Sequence, residues 1–217
     1  MRDYHLVIFD LDGTLLDTTE GILSSIDYTI QKLNLPSLSE EDKLSFIGPP
    51  VPDSLAKYYG LSGEALKEAT AIFRNNYSEQ NLLLAKPYTG IYDVLEYLHK
   101  KEIKLAVATY KREDYALKLL QHYGFSKYMD VMFGADNENK LKKEDIILKC
   151  INTIGVQDMA RIVMIGDTMY DAVGAELLSL DFIAVTYGFG FKKGVDYPEI
   201  KPVAFVDAPL QLINIFH

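Results

Sequence analysis

Short apolar runs recur along the chain at residues 6–9, 105–109, 131–134, 162–165, 182–185 and 203–206. They are rich in Val, Ile and Phe and do not alternate with polar residues, as expected of strands covered on both faces. From residue 90 onward each run is separated from the next by one helical segment or a short turn. Residues 91–101 follow a candidate N-cap, Thr89. The stretch 113–123 stops at Gly124, and 144–154 stops at Gly155. A glycine just past a periodic segment ends a helix. This alternation predicts an α/β fold built on a doubly wound parallel sheet.

Residues 16–87 break the rhythm. Helical patterns occupy 17–33, 39–46, 53–59 and 62–77, Pro36 and Ser37 interrupt them, and no strand of any length appears. The segment Ile47-Gly48-Pro49-Pro50-Val51-Pro52 reads as an irregular loop, because its prolines remove donors and fix φ. The expectation is an all-helical insertion, a cap domain at 16–87, within a core formed by 1–15 and 88–217. The chain has 217 residues. That is roughly one and a half typical domains, which suits one domain carrying an inserted module.

Charge narrows the partners. Lys and Arg number 22 against 31 Asp and Glu, a net −9. So acidic a chain repels phosphate backbones, which argues against nucleic acid as a partner. A small anionic substrate would need a local positive device. Cys150 stands alone and permits no internal disulfide, so a reduced, cytoplasmic setting is expected. The first apolar run is too short for a signal peptide and no run is long enough to span a membrane, so no membrane partner is expected. Oligomeric state is left open.

Four features carry chemistry, and each falls at or just after the carboxyl end of an expected strand, where ligands of open α/β folds sit. The first is Asp10-Leu11-Asp12-Gly13-Thr14. Four fixed residues of this kind arise by chance on the order of 10⁻³ times in a chain this long. Two carboxylates at i and i+2 repel, and a cation between or beside them would relieve this. Gly13 lets the backbone turn sharply toward a ligand. The competing reading is a solvated acidic turn. The second feature is Gly166-Asp167-Thr168-Met169-Tyr170-Asp171. On one helical turn Asp167 and Asp171 would be like charges at i,i+4, destabilising unless a cation intervenes; alternatively they are acids favoured by a helix N-terminus. The third is Thr109, ending a strand, where its hydroxyl can donate to a phosphate or simply serve as a β-branched strand residue. The fourth is the set Lys140, Lys142 and Lys143, ahead of a helix expected to begin near Glu144, where lysines are usually solvated.

Taken together, these residues could surround one phosphate and one metal. The chain resembles the haloacid dehalogenase superfamily of phosphohydrolases over essentially its whole length. That family's DxDGT motif stands at Asp10–Thr14, its strand-ending Thr at Thr109, its Lys at Lys143 (with Lys142 as the alternative) and its GDxxxD motif at 166–171. The insertion resembles the helical C1 cap, and the closest likeness is to phosphoglycolate phosphatase-like members. Phe46-Ile47-Gly48-Pro49-Pro50 is similar to a subgroup often assigned phosphoglycolate phosphatase or nucleotidase activity. Where members often carry a small residue after the Thr, this chain has Tyr110.

The resemblance implies a Mg²⁺-dependent phosphomonoesterase acting on a small phosphorylated metabolite. Asp10 would be the nucleophile and form an aspartyl-phosphate, while Asp12 would be acid and then base. Mg²⁺ would be held by Asp10, Asp167 and the backbone carbonyl of Asp12, with Asp171 holding a water or Lys143. Thr109 and Lys143 would bind the phosphoryl group, and Gly13, Thr14, Tyr110 and Gly48 would line the substrate site. A 5'-nucleotidase, a pyrophosphatase and a phosphomutase use the same residues, and a catalytically silent phosphate-binding scaffold is the alternative outside enzymes. Tyr187-Gly188-Phe189-Gly190 reads only as a loop.

Overall fold

All four residues of the first strand, β1 (Leu6–Phe9), are withdrawn from solvent in the computed structural model, which describes residues 3–138 and 140–217. The two-residue strand β2 (Leu16–Asp17) follows. Helices α1 (Thr19–Lys32), α2 (Glu40–Leu44), α3 (Val51–Tyr59) and α4 (Gly63–Asn76) lead to a second two-residue strand, β3 (Lys86–Pro87). The remainder alternates: α5 (Ile91–Lys100), β4 (Lys104–Arg112), α6 (Glu113–His122), β5 (Val131–Ala135), α7 (Lys143–Ile154), β6 (Ile162–Gly166), α8 (Met169–Leu177), β7 (Asp181–Val185), β8 (Ala204–Val206) and α9 (Leu212–Ile215).

The long strands form one parallel six-stranded sheet in the order β5-β4-β1-β6-β7-β8. This is the α/β fold that the apolar runs imply, with the helical insert between β2 and β3. β1 pairs with β4 on one side and β6 on the other, so it has no solvent-facing edge. Side chains alternate across it. Val7 and Phe9 pack with Val94, Leu98 and Leu119 of α5 and α6, whereas Leu6 and Ile8 pack with Ile147 and Cys150 of α7 and Ala175 of α8. A strand with two apolar faces needs helices on both, which explains why its sequence does not alternate. Among the described residues no helix is long and apolar enough to cross a membrane.

The structure corrects three details of the sequence reading. Thr109 does not end its strand: β4 continues to Arg112, across an irregularity between Ala108 and Arg112, and Arg112 pairs with Ala135. The apolar run stops at 109 but backbone pairing does not, because the ladder needs only amides. The proline segment is not irregular throughout. Pro50 is the N-cap of α3, and Val51 and Pro52 lie in its first turn, where a proline removes only an amide that would have no helical partner. Finally, β2 and β3 pair antiparallel, Leu16 with Pro87 and Asp17 with Lys86, and bring the two ends of the insert together. Strands of two residues are too short to leave a periodicity.

Leu6 is fully buried, at the end of β1 away from Asp10. Leu6→Ala should lower stability by about 2–5 kcal/mol, the usual range for truncating a buried leucine. Denaturant melts would check this, and a loss below about 1 kcal/mol would contradict the packing described.

Candidate active site

Parallel pairing sets neighbouring chain ends side by side. β1 delivers Asp10 to the carboxyl edge, where its N–H donates to the Ile165 carbonyl at 2.9 Å. Beside it, β6 ends at Gly166 and delivers Asp167, while α8 follows with Asp171 in its first turn. On the other side β4 carries Thr109, Tyr110 and Lys111, and α7 opens with Lys143.

These ends converge on one buried ammonium. Lys143 Nζ lies 2.6 Å from Asp10 Oδ1 and 2.7 Å from Asp171 Oδ1, and all three residues are buried. Asp10, Asp167 and Asp171 each offer a carboxylate oxygen within 4.8 Å of the others. Three acids around one cation cannot all ionise cheaply. Burial pushes the Asp10 carboxyl up to about 7; Lys143 opposes this, and Asp171 and Asp12 add to it. Burial, with Asp171 and Asp10 adding to it, also raises Asp167 well above the usual carboxylate range. For Lys143 burial alone would favour the neutral amine, but the two carboxylates outweigh it and hold the ammonium above its ordinary value.

The cluster asks for a second cation. Asp167 Oδ2 accepts from the Phe189 and Gly190 amides at 2.7 and 3.3 Å, yet buried Oδ1 has no hydrogen-bond partner. Asp171 Oδ2 accepts from the Thr168 amide and hydroxyl, closing a capping box. Its Oδ1 sits beside Lys143 without hydrogen-bond alignment. An unpartnered buried carboxylate oxygen among hard oxygen donors fits a divalent cation such as Mg²⁺. Asp167 and Asp171 do not share a helical turn, because Asp167 precedes the N-cap Thr168; of the two readings offered by the sequence, Asp171 in the first turn of α8 fits the helix N-terminal one.

Asp12 stands apart from this cluster. Its Oδ1 accepts from the Thr18 hydroxyl at 2.6 Å, and its Oδ2 lies 3.0 Å from Lys111 Nζ. That leaves its backbone carbonyl, not its carboxylate, as the group it could offer a metal at Asp10. Lys111 is itself buried, with its ammonium 4.9 Å above the Tyr77 ring. Burial would lower its pKa, but Asp12 and Tyr77 raise it above the ordinary value.

The other expected residues fall as follows. Thr109 is buried, and its Oγ1 accepts from the Lys111 amide at 3.2 Å. Thr14 is buried with an unpartnered hydroxyl. Gly13 has φ +82°, and a Cβ there would overlap the Asp167 carboxylate. A Cβ on Gly166 would likewise overlap Asp171. The Tyr110 hydroxyl accepts the Lys143 amide at 2.9 Å and so anchors the start of α7, and Tyr110 also lines the cavity beside Asp12. Lys142 is the exposed N-cap and Lys140 pairs with Glu138, so only Lys143 reaches the acids. Gly48 lines a cavity of about 80 Å³ that opens onto Asp12 between insert and core.

Lys111 and Arg74, which also line this cavity, escaped the sequence reading. The i+2 spacing from Thr109 was an available signal for Lys111; Arg74 had none. Also missed was the stretch 187–190, which is a loop but supplies both amides to Asp167 and, through the Tyr187 hydroxyl, a 3.2 Å hydrogen bond to the Thr14 carbonyl.

Comparison with known proteins places this arrangement. Residues 7–185 match the family described as haloacid dehalogenase-like hydrolase. The chain is 31% identical to pyrophosphatase PpaX of Halalkalibacterium halodurans over 90% of its length and 88% of the relative's. It is 32% identical to a 5'-nucleotidase of Pseudomonas aeruginosa, covering 88% of each, and 31% identical to a phosphoglycolate phosphatase of Agrobacterium fabrum over 93% and 88%. Among solved structures, a haloacid dehalogenase-like hydrolase from Streptococcus pneumoniae superposes with TM-score 0.90 at 29% identity, covering 99% of each chain. The Mycobacterium tuberculosis protein tyrosine kinase A does so with TM-score 0.84 at 29%, covering 99% and 98%.

Lys143→Ala should destabilise the metal-free protein by about 3–5 kcal/mol, because it strands buried carboxylates. Lys142→Ala should stay within about 0.5 kcal/mol of the parent, as exposed substitutions usually do. Chemical melts in chelator at pH 7.5 compare them, and equal losses would contradict the pairing described.

Proposed function

We propose that this chain, which belongs to the haloacid dehalogenase-like hydrolases, is a Mg²⁺-dependent phosphomonoesterase of small phosphorylated metabolites that works through an aspartyl-phosphate. The observation that carries the reading is the Asp10–Lys143–Asp171 array beside Asp167, with Asp12 two residues from Asp10 and facing a separate cavity. This separation supports a reading in which one carboxylate meets phosphorus and the other the leaving group.

In the first half-reaction an Asp10 oxygen attacks phosphorus and the bond to the leaving oxygen breaks. Asp12 gives that oxygen its proton. In the second half-reaction a water attacks the phosphoryl group, Asp12 takes the water's proton, and the phosphorus–Asp10 bond breaks to release phosphate. In the structure both Asp12 oxygens accept from donors, Thr18 and Lys111, which suits the proton-taking step. Lys143 and Thr109 neutralise and position the transferring oxygens, and most of the rate of such chemistry comes from that. Mg²⁺, held by Asp10, Asp167 and the Asp12 carbonyl, would supply further charge neutralisation at the phosphoryl group. Asp171 fixes Lys143. The insert acts as a cap that excludes bulk water and selects the leaving group. Relatives named as pyrophosphatase, 5'-nucleotidase and phosphoglycolate phosphatase bracket the substrate.

The roles of the two acids are separable. Asp10→Asn should give no covalent intermediate. Asp12→Asn should still release one rapid equivalent of nitrophenol from an aryl phosphate, then slow, because that leaving group needs no proton while hydrolysis of the intermediate needs a base. General acid catalysis is worth about 10²–10⁴-fold, so on an alkyl phosphate Asp12→Asn should be slow from the first step. A burst from Asp10→Asn would overturn the assignment.

The metal has its own pH signature. With the Asp10 carboxyl raised to about 7, and Asp167 raised too, the metal-free native state holds more protons than the unfolded chain between the ordinary carboxylate range and pH 7. Its stability should therefore fall across that interval as pH rises. Mg²⁺ must displace those protons, so its affinity should climb as pH rises toward 7. Calorimetric titration of metal into chelator-treated protein at pH 5 to 8 measures this; a flat profile, or full turnover in excess chelator, would count against the metal site.

A further inference from the structure

The cavity facing Asp12 has an unusual charge balance for a protein of net −9. Its lining includes one carboxylate, Asp12, and three cations: Arg74 from α4 of the insert, and Lys111 and Arg112 from β4. Two of the cations have anionic partners. Lys111 pairs with Asp12, and Arg112 pairs with both oxygens of Asp114 while lying 3.8 Å over the Tyr115 ring. Arg74 has none. Among the described residues no carboxylate lies within ion-pairing distance of it, and its one side-chain hydrogen bond goes from Nη1 to the Asn137 carbonyl at 3.3 Å. Burial, with Arg112 adding to it, lowers the pKa of Arg74, and the opposing pull of Tyr115 and Asp114 does not make this up. A half-buried guanidinium beside a second one, with no carboxylate in ion-pairing distance among the described residues, carries a cost that a bound anion would reduce.

The walls restrict what that anion can be. Phe46, Pro49, Phe73 and Tyr115 are among the apolar walls of this cavity of about 80 Å³. Several waters fit in such a space, and a leaving group of a few heavy atoms would replace them.

We infer that Arg74, with Lys111, forms a subsite for a second anionic group on the substrate, so that the preferred substrates are compact phosphate esters or anhydrides whose leaving group is itself a carboxylate or phosphate. This rests on the phosphatase reading above and narrows it. The phosphoryl group goes to Asp10 and Lys143, and the far anion goes to Arg74. Lys111 lines the same cavity as Arg74 and lies 3.0 Å from Asp12 Oδ2. Arg74 comes from the insert and Lys111 from the core, so such a substrate would tie the two together, whereas a neutral leaving group would leave Arg74 unpaired.

The test uses matched leaving groups with Mg²⁺ present. Phosphoglycolate and 2-hydroxyethyl phosphate differ by a carboxylate against a neutral hydroxymethyl group; pyrophosphate supplies the phosphate version of the anion. A charged hydrogen bond of this kind corresponds to about 10-fold or more, so at least one of the two anionic substrates should exceed 2-hydroxyethyl phosphate by that factor in kcat/KM. Arg74→Gln should shrink the ratio to about 3-fold or less, and Arg74→Lys should restore much of it. Thermal melts on each variant show that the fold is kept. Equal kcat/KM for all three substrates, or a ratio untouched by Arg74→Gln, would overturn the subsite while leaving the phosphatase reading intact. Failure to release phosphate from any of these or from nitrophenyl phosphate would instead overturn the phosphatase reading and the subsite with it.

Discussion

Placing the Lys143 ammonium between Asp10 and Asp171 is the constraint the rest of the carboxyl edge serves. Desolvating one ammonium and several carboxylates is expensive, and the attraction between them offsets this only when geometry and remaining hydrogen bonds are nearly complete. Much local structure follows from that requirement. Tyr110 accepts the Lys143 amide and fixes where α7 begins. Thr168 satisfies Asp171 through a capping box. Gly166 lacks a side chain because a Cβ would enter the Asp171 carboxylate. The amides of Phe189 and Gly190 partly compensate Asp167. What stays uncompensated, Oδ1 of Asp167, is the group a divalent cation would complete.

A second charge centre lies two residues along the same loop and obeys different chemistry. Asp12 is held by a hydroxyl and by a buried lysine that leans on an aromatic face. Gly13 permits the turn that follows Asp12, with φ at +82°, and its missing Cβ lets the loop press against Asp167. Five consecutive residues thus serve two environments, one rich in carboxylates and the other rich in cations.

Much of this was legible in the sequence because the relevant signals are local. The strands announce themselves as apolar runs, and Asp10, Asp12, Asp167 and Asp171 stand in short motifs at strand ends. The structure brings Asp10, Asp167, Asp171 and Lys143 into one cluster, and it separates Lys143 from Lys142 by burial, which spacing could not do. What was not legible depends on contacts far apart in the chain. Arg74 looks like any polar helix residue until α4 is set against β4. The loop at 187–190 has no motif of its own and matters because β7 is parallel to β6 and ends beside it. The pairing of β2 with β3 joins residues about seventy positions apart through two residues each, which no periodicity encodes.

That pairing has a consequence for how such a protein can diversify. Leu16 opposite Pro87 and Asp17 opposite Lys86 mean that the insert leaves the core and returns to it at one point. To the sheet, everything between is a loop whose ends are already tied. The entropy of closing a loop grows only logarithmically, by about 0.6 kcal/mol for each doubling of length. Helices on the far side of the tie can therefore be lengthened with little loop-closure penalty to the sheet that holds the aspartates. Residues of the insert, Arg74 and Gly48 among them, can then change while the carboxyl edge around Asp10 keeps its geometry.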